Sequence, residues 1–142
     1  MKQFVSSRWI VVACAALACT AAAAQQAQGR VDVGKRDYDS NCAVCHGTSG
    51  KGNGPYAPYL KSALPDLTTL AKRNGGVFPM AKVYDTIEAA GAAHGSRDMP
   101  VWGKAFSVDA ADYYFEVPVN LDAVVRGRML TLAEYVNRLQ AK

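Results

Sequence analysis

The chain has 142 residues, 50% of them hydrophobic, and carries 16 Lys and Arg against 12 Asp and Glu for a net charge of +4. That length supports one domain around one core. The charge is small and scattered, with neither a basic stripe nor aromatics interleaved along one, which excludes a nucleic-acid-binding protein.

Residues 1–24 read as a bacterial secretory signal. Lys2 and Arg8 give a positive start, residues 9–17 an apolar core too short to span a bilayer, and Ala22-Ala23-Ala24 a small-residue cleavage site before Gln25. A periplasmic protein is expected. The competing reading takes Ala16-Leu17-Ala18 before Cys19 as a lipoprotein cleavage box, which leaves Cys19 acylated and the protein tethered on the periplasmic face. That box lacks the favoured Leu three residues before the cysteine, so cleavage after Ala24 is preferred, and membrane contact is expected only if Cys19 is lipidated. Losing residues 1–24 removes Lys2, Arg8, Cys14 and Cys19, leaving 14 Lys and Arg against 12 Asp and Glu, net +2, and only Cys42 and Cys45.

Residues 25–30 form a polar leader, and residues 31–142 the domain. A first helix is expected over 32–41, with Asp32 as its N-cap or first-turn acid. The glycines at 47, 50, 52 and 54 forbid regular structure and mark a loop. Residues 56–64 predict a short helix interrupted by Pro58. Pro65 and Asp66 open another helical turn, which stops at Asn74-Gly75-Gly76. Pro79 begins a helix ended by Gly91, with Val83, Ile87 and Ala90 on one apolar face. Residues 92–122 show no periodic element and predict a long irregular stretch. The last helix is the clearest: Val125, Met129, Leu132, Val136 and Leu139 alternate spacings of four and three. Gly127 costs about 1 kcal/mol against Ala inside a helix, so the start is expected near Arg128.

The chemistry sits in Cys42-Ala43-Val44-Cys45-His46. Two cysteines three positions apart, followed at once by histidine, read as a covalent c-type haem attachment site. Each thiol can add to one porphyrin vinyl group, and the imidazole is left beneath the iron. Only one such run exists, so one haem c is expected. The sixth iron position has two candidates within residues 92–122. Met99 sits in Asp98-Met99-Pro100, where Pro100 fixes the backbone. His94 is the only other histidine. A thioether raises the potential and a second imidazole lowers it. Met99 is preferred over His94, while Met80 and Met129 read as core methionines.

These residues together resemble a class I cytochrome c of the single-haem bacterial periplasmic kind, over essentially all of residues 30–142. Gly34 and Tyr38, eight and four positions before Cys42, match the small residue and aromatic on that family's N-terminal helix, and Leu132 and Tyr135 match their partners on its last helix. The resemblance implies an all-α fold in which the N- and C-terminal helices cross and four to five short helices wrap one covalent haem. It also implies that the Pro55 carbonyl accepts the His46 imidazole N–H, that Met99 and Pro100 form the distal loop, and that Trp102 packs at a haem edge or bonds a propionate. The stretch 106–122, with Asp112-Tyr113-Tyr114-Phe115-Glu116, is longer than the family's minimal link; some of its aromatics are expected to cover the haem edge or face a partner.

The function so implied is electron transfer rather than enzymatic turnover, with no small-molecule substrate. The redox partners are proteins: a dehydrogenase, a quinol complex or a terminal oxidase. Lys51, Lys61, Lys72 and Lys104 are candidates for steering them. The alternative is a haem enzyme or gas sensor with a displaceable sixth ligand, for which His94 is the one available distal base. A zinc site is disfavoured because Cys42, Cys45, His46 and His94 are the only ligands and two of them are adjacent. A dithiol oxidoreductase is disfavoured because no βαβ pattern surrounds the cysteines.

Overall fold

A computed structural model describes residues 31–89 and 99–141; the expected signal and leader, together with His94 and Gly91, lie outside the described residues. The described chain is all-helical, as expected. It comprises α1 (Val33–Asn41), α2 (Ala43–His46), 3-10 turns at Ala57–Tyr59 and Leu67–Thr69, α3 (Leu70–Arg73), α4 (Met80–Ala89), α5 (Trp102–Tyr113) and α6 (Leu121–Arg138). Among the described residues no helix is long and apolar enough to cross a membrane.

Helix α1 starts where Asp32 caps it: the carboxylate accepts the backbone N–H of Lys35 at 3.0 Å. Its far end passes almost without a break into α2, with Cys42 between them donating its N–H to the Tyr38 carbonyl at 2.8 Å. The terminal helices α1 and α6 cross at Gly34, where a Cβ would lie 2.1 Å from the Thr131 carbonyl oxygen and 3.2 Å from Tyr135 Cβ. Removing that one side chain lets two backbones touch and brings the Tyr38 and Tyr135 rings to 5.1 Å between centres. Tyr38, Phe106, Met129 and Leu132 are the largest fully buried side chains, so the core lies where α1 and α5 pack on α6. Ile87 of α4 completes it. The C-terminus is tied down by Gln140, whose amide accepts from the Ala71 N–H at 2.8 Å and donates to the Leu67 carbonyl at 2.8 Å.

Three expectations are corrected. Residues 102–113, read as irregular, form the 12-residue helix α5. Its buried face is Gly103, Phe106 and Ala110, correctly spaced for a helix but with one large apolar side chain among them, so hydropathy alone misses it. Helix α6 begins at Leu121, not near Arg128, because the Asn120 side chain caps it by accepting the Ala123 N–H at 3.0 Å. Gly127 sits inside that helix with open space beside it, and packing of Val125 and Met129 outweighs its propensity cost. The short helix expected over 56–64 reduces to the single turn Ala57–Tyr59.

Candidate functional site

Cys42, Cys45 and His46 are presented by one short helix whose backbone is locked from outside. The N–H groups of Cys45 and His46 both return to the Cys42 carbonyl, at 3.1 and 2.8 Å. Such a four-residue helix leaves its last carbonyls without partners in the helix. The glycine loop supplies them: Gly52 N–H donates to the His46 carbonyl (2.8 Å), Gly54 N–H to Cys45 (3.0 Å) and Tyr56 N–H to Val44 (2.9 Å). So close a wrap excludes side chains. A Cβ on Gly54 would lie 2.5–2.6 Å from the carbonyl oxygens of Val44, Ala43 and Cys45. Gly47 turns the chain at φ +77°, and its carbonyl accepts the buried Tyr38 hydroxyl at 2.8 Å.

These residues open on a cleft of about 490 Å³. Both cysteines and His46 line it, together with aliphatic side chains from the second 3-10 turn, α3, α4 and α6, among them Leu67, Leu70, Val83 and Leu132, and the Trp102 indole from α5. This size and lining match a cofactor site with a few placed polar groups. Desolvation, then the charges of Asp37 and Cys45, push the Cys42 thiol up to about 12. The two thiols stand three positions apart on this apolar wall with His46 beside them, the arrangement that bonding to two porphyrin vinyl groups requires. The residues present therefore fit a covalently attached haem.

The sequence-predicted residues fall unevenly around this cleft. Met99 and Trp102 line it and are half-buried. Met80 and Met129 do not line it; Met129 is in the core and Met80 packs against it, as expected. His94 lies outside the described residues. Pro55 is exposed, but its neighbours Gly54 and Tyr56 are bonded to α2, which holds the Pro55 peptide beside the His46 segment. Within 106–122 the aromatics divide: Phe106 is core, Tyr114 is half-buried, and Tyr113 and Phe115 are 80% and 85% exposed. None of these four lines the cleft. Sequence reasoning missed Arg73 and Lys82, the two side chains of fixed positive charge on the cleft wall, which carries no carboxylate among its described residues.

An all-helical chain with crossing terminal helices and a Cys-x-x-Cys-His segment on an apolar cleft is a class I c-type cytochrome. The chain belongs to the family described as Cytochrome C oxidase, cbb3-type, subunit III, which matches residues 29–114, more than half of its length. No curated protein and no solved structure matches it. The cofactor is covalent haem c, and the activity is haem-based electron transfer with redox partners.

Proposed function

We propose that the protein is a periplasmic electron carrier with one haem attached through Cys42 and Cys45 and ligated by His46 and Met99. Bound haem supplies a one-electron ferrous/ferric couple. The observation that carries the ligand assignment is that Met99 is the one described methionine on the cleft that His46 lines. Filling the sixth position with a thioether raises the potential and leaves no open site for substrate. The cleft's aliphatic lining excludes water, which favours the less charged reduced state in the same direction.

The protein residues around this centre divide the remaining work. The Pro55 carbonyl orients the His46 ring by accepting its N–H, a partner that also makes the imidazole a better donor. Trp102 closes the edge of the cleft beyond Met99. Lys51, Lys61, Lys72 and Lys104, all exposed, steer an acidic partner toward the cleft mouth, with a small interface that dissociates quickly. The partner is a membrane respiratory complex or a periplasmic dehydrogenase; the family's name favours a terminal oxidase.

A haem stain that survives denaturing electrophoresis tests attachment, and its loss in Cys42→Ser/Cys45→Ser assigns the thiols. The ferric near-infrared sulfur–iron band tests ligation. It disappears in Met99→Ala and persists in Met80→Ala; persistence in Met99→Ala overturns the assignment.

A further inference from the structure

Arg128 on α6 holds two other helices at once. Its Nε and Nη2 donate to the two carboxylate oxygens of Asp37 on α1, at 2.8 and 3.3 Å, and its Nη1 to Asp109 Oδ2 on α5 at 3.1 Å. Its guanidinium carbon also lies 4.0 Å from the centre of the Phe106 ring, again on α5. The planar fork and the flat face are used together, which a lysine ammonium cannot reproduce.

Asp37 is buried, with 4% of its side chain accessible, while Arg128 retains 26%. A pair of this kind adds little net stability, because desolvation cancels most of the attraction; fixing the register of packed elements is its better-attested use. The register here spans the haem cleft. On one side Asp37 sits on α1, the helix that runs straight into Cys42. On the other, the Phe106 ring lies 5.8 Å from the Trp102 indole, which opens α5, lines the cleft and follows Met99 by three residues across Pro100. Contacts thus run from Asp37 through Arg128 and Phe106 to Trp102, joining the attachment helix to the distal segment.

We propose that Arg128 is a positioning residue for the axial thioether: it sets how closely the segment carrying Met99 is held against the one carrying Cys42, Cys45 and His46. The proposal rests on Met99 ligation. Loss of the fork lets α5 drift on α6, lengthens the reach of Met99 and makes the sixth position easier for an external ligand to take.

The test uses the full-length haem-loaded protein and imidazole as the probe ligand. Asp37→Asn/Arg128→Met removes the fork without leaving a buried carboxylate alone, Arg128→Lys removes its bidentate geometry, and Phe106→Leu removes the ring stacked on the guanidinium. Ellipticity and covalent haem content report folding. The double variant is expected to keep both, to lose intensity in the ferric sulfur–iron band, and to bind imidazole about tenfold more tightly, the scale of coupling within one contact network. The two single variants move the same way by less, and they carry the test if the double variant fails to fold. A purely structural clamp lowers the melting temperature and leaves band and imidazole affinity at wild-type values; that result overturns the proposal alone. A wild-type protein without the band overturns Met99 ligation and this proposal with it.

Discussion

Gly34 and Thr131 are in backbone contact across the terminal helices, so close that a single added methyl at Gly34 would sit 2.1 Å from the Thr131 carbonyl oxygen. The obstacle is main chain in the middle of a helix and cannot rotate away. Gly34→Ala gains helix propensity in α1, yet it forces α1 and α6 apart and separates Tyr38 from Tyr135. The expected outcome is a net loss of about 3 kcal/mol, at the upper end of overpacking costs, read from the denaturant midpoint of the haem-loaded protein.

Gly127 on the same helix α6 gives the opposite sign. Nothing lies within 4 Å of a Cβ built there, and the residue is exposed. Gly127→Ala therefore keeps every contact and removes the glycine penalty, and stability is expected to rise by about 1 kcal/mol. A few degrees of added melting temperature is the corresponding thermal readout. Opposite signs for one chemical change at two helical glycines separate packing from propensity in this fold.

The same two glycines show what was legible in the sequence. Cys42-Ala43-Val44-Cys45-His46, Gly34 and Tyr135 could be read in advance because each does one local or pairwise job with a recognisable residue type. Helix α5 could not, since its buried face relies on Gly103 and Ala110, residues chosen for smallness. A Cβ at Gly103 would lie 2.8 Å from the Glu88 carbonyl oxygen, so the glycine marks a close approach of α5 to α4 and not a break in the chain. The start of α6 was written in Asn120 as a cap but was outweighed by the penalty assigned to Gly127. The Asp37–Arg128 pair joins residues 91 positions apart, and nothing in either segment announces it.

Asp32 makes stability depend on acid. Its carboxyl is held below the ordinary value of 3.8, first by the bond from the Lys35 backbone N–H and then by Arg138, with desolvation opposing. A folded-state value below the unfolded one means the contribution is fully present above pH 3.8 and is lost as pH falls through the folded value. Asp66, bonded by the Thr68 hydroxyl and N–H, is shifted the same way and adds to the same window. Asp32→Asn keeps an acceptor for the cap but loses the charge. It is expected to be less stable than wild type at neutral pH, with the two acid-unfolding curves converging below the folded carboxyl range. Curves that stay parallel throughout that range would remove Asp32 from the account.

Gly54 controls whether the attachment segment can be wrapped at all. Its peptide passes so near α2 that any side chain meets the carbonyl oxygens of Ala43, Val44 and Cys45 together, at 2.5–2.6 Å. Gly54→Ala must lift the loop, which breaks the bonds from Gly54 and Tyr56 to Cys45 and Val44 and moves Pro55 away from His46. Two lost backbone hydrogen bonds at about 1 kcal/mol each are enough to unfold this turn locally while the α1–α6 crossing persists. The expected phenotype is a chain that retains most of its helix content but carries covalent haem at low yield, measured as haem stain per unit of protein. Tyr38→Phe is the milder probe of the same turn. It leaves the Gly47 carbonyl without the buried hydroxyl that donates to it at 2.8 Å, for a loss of about 1–2 kcal/mol and no loss of haem attachment. If Gly54→Ala instead loads haem as well as wild type, the loop has another route around α2 and the role given to Pro55 falls.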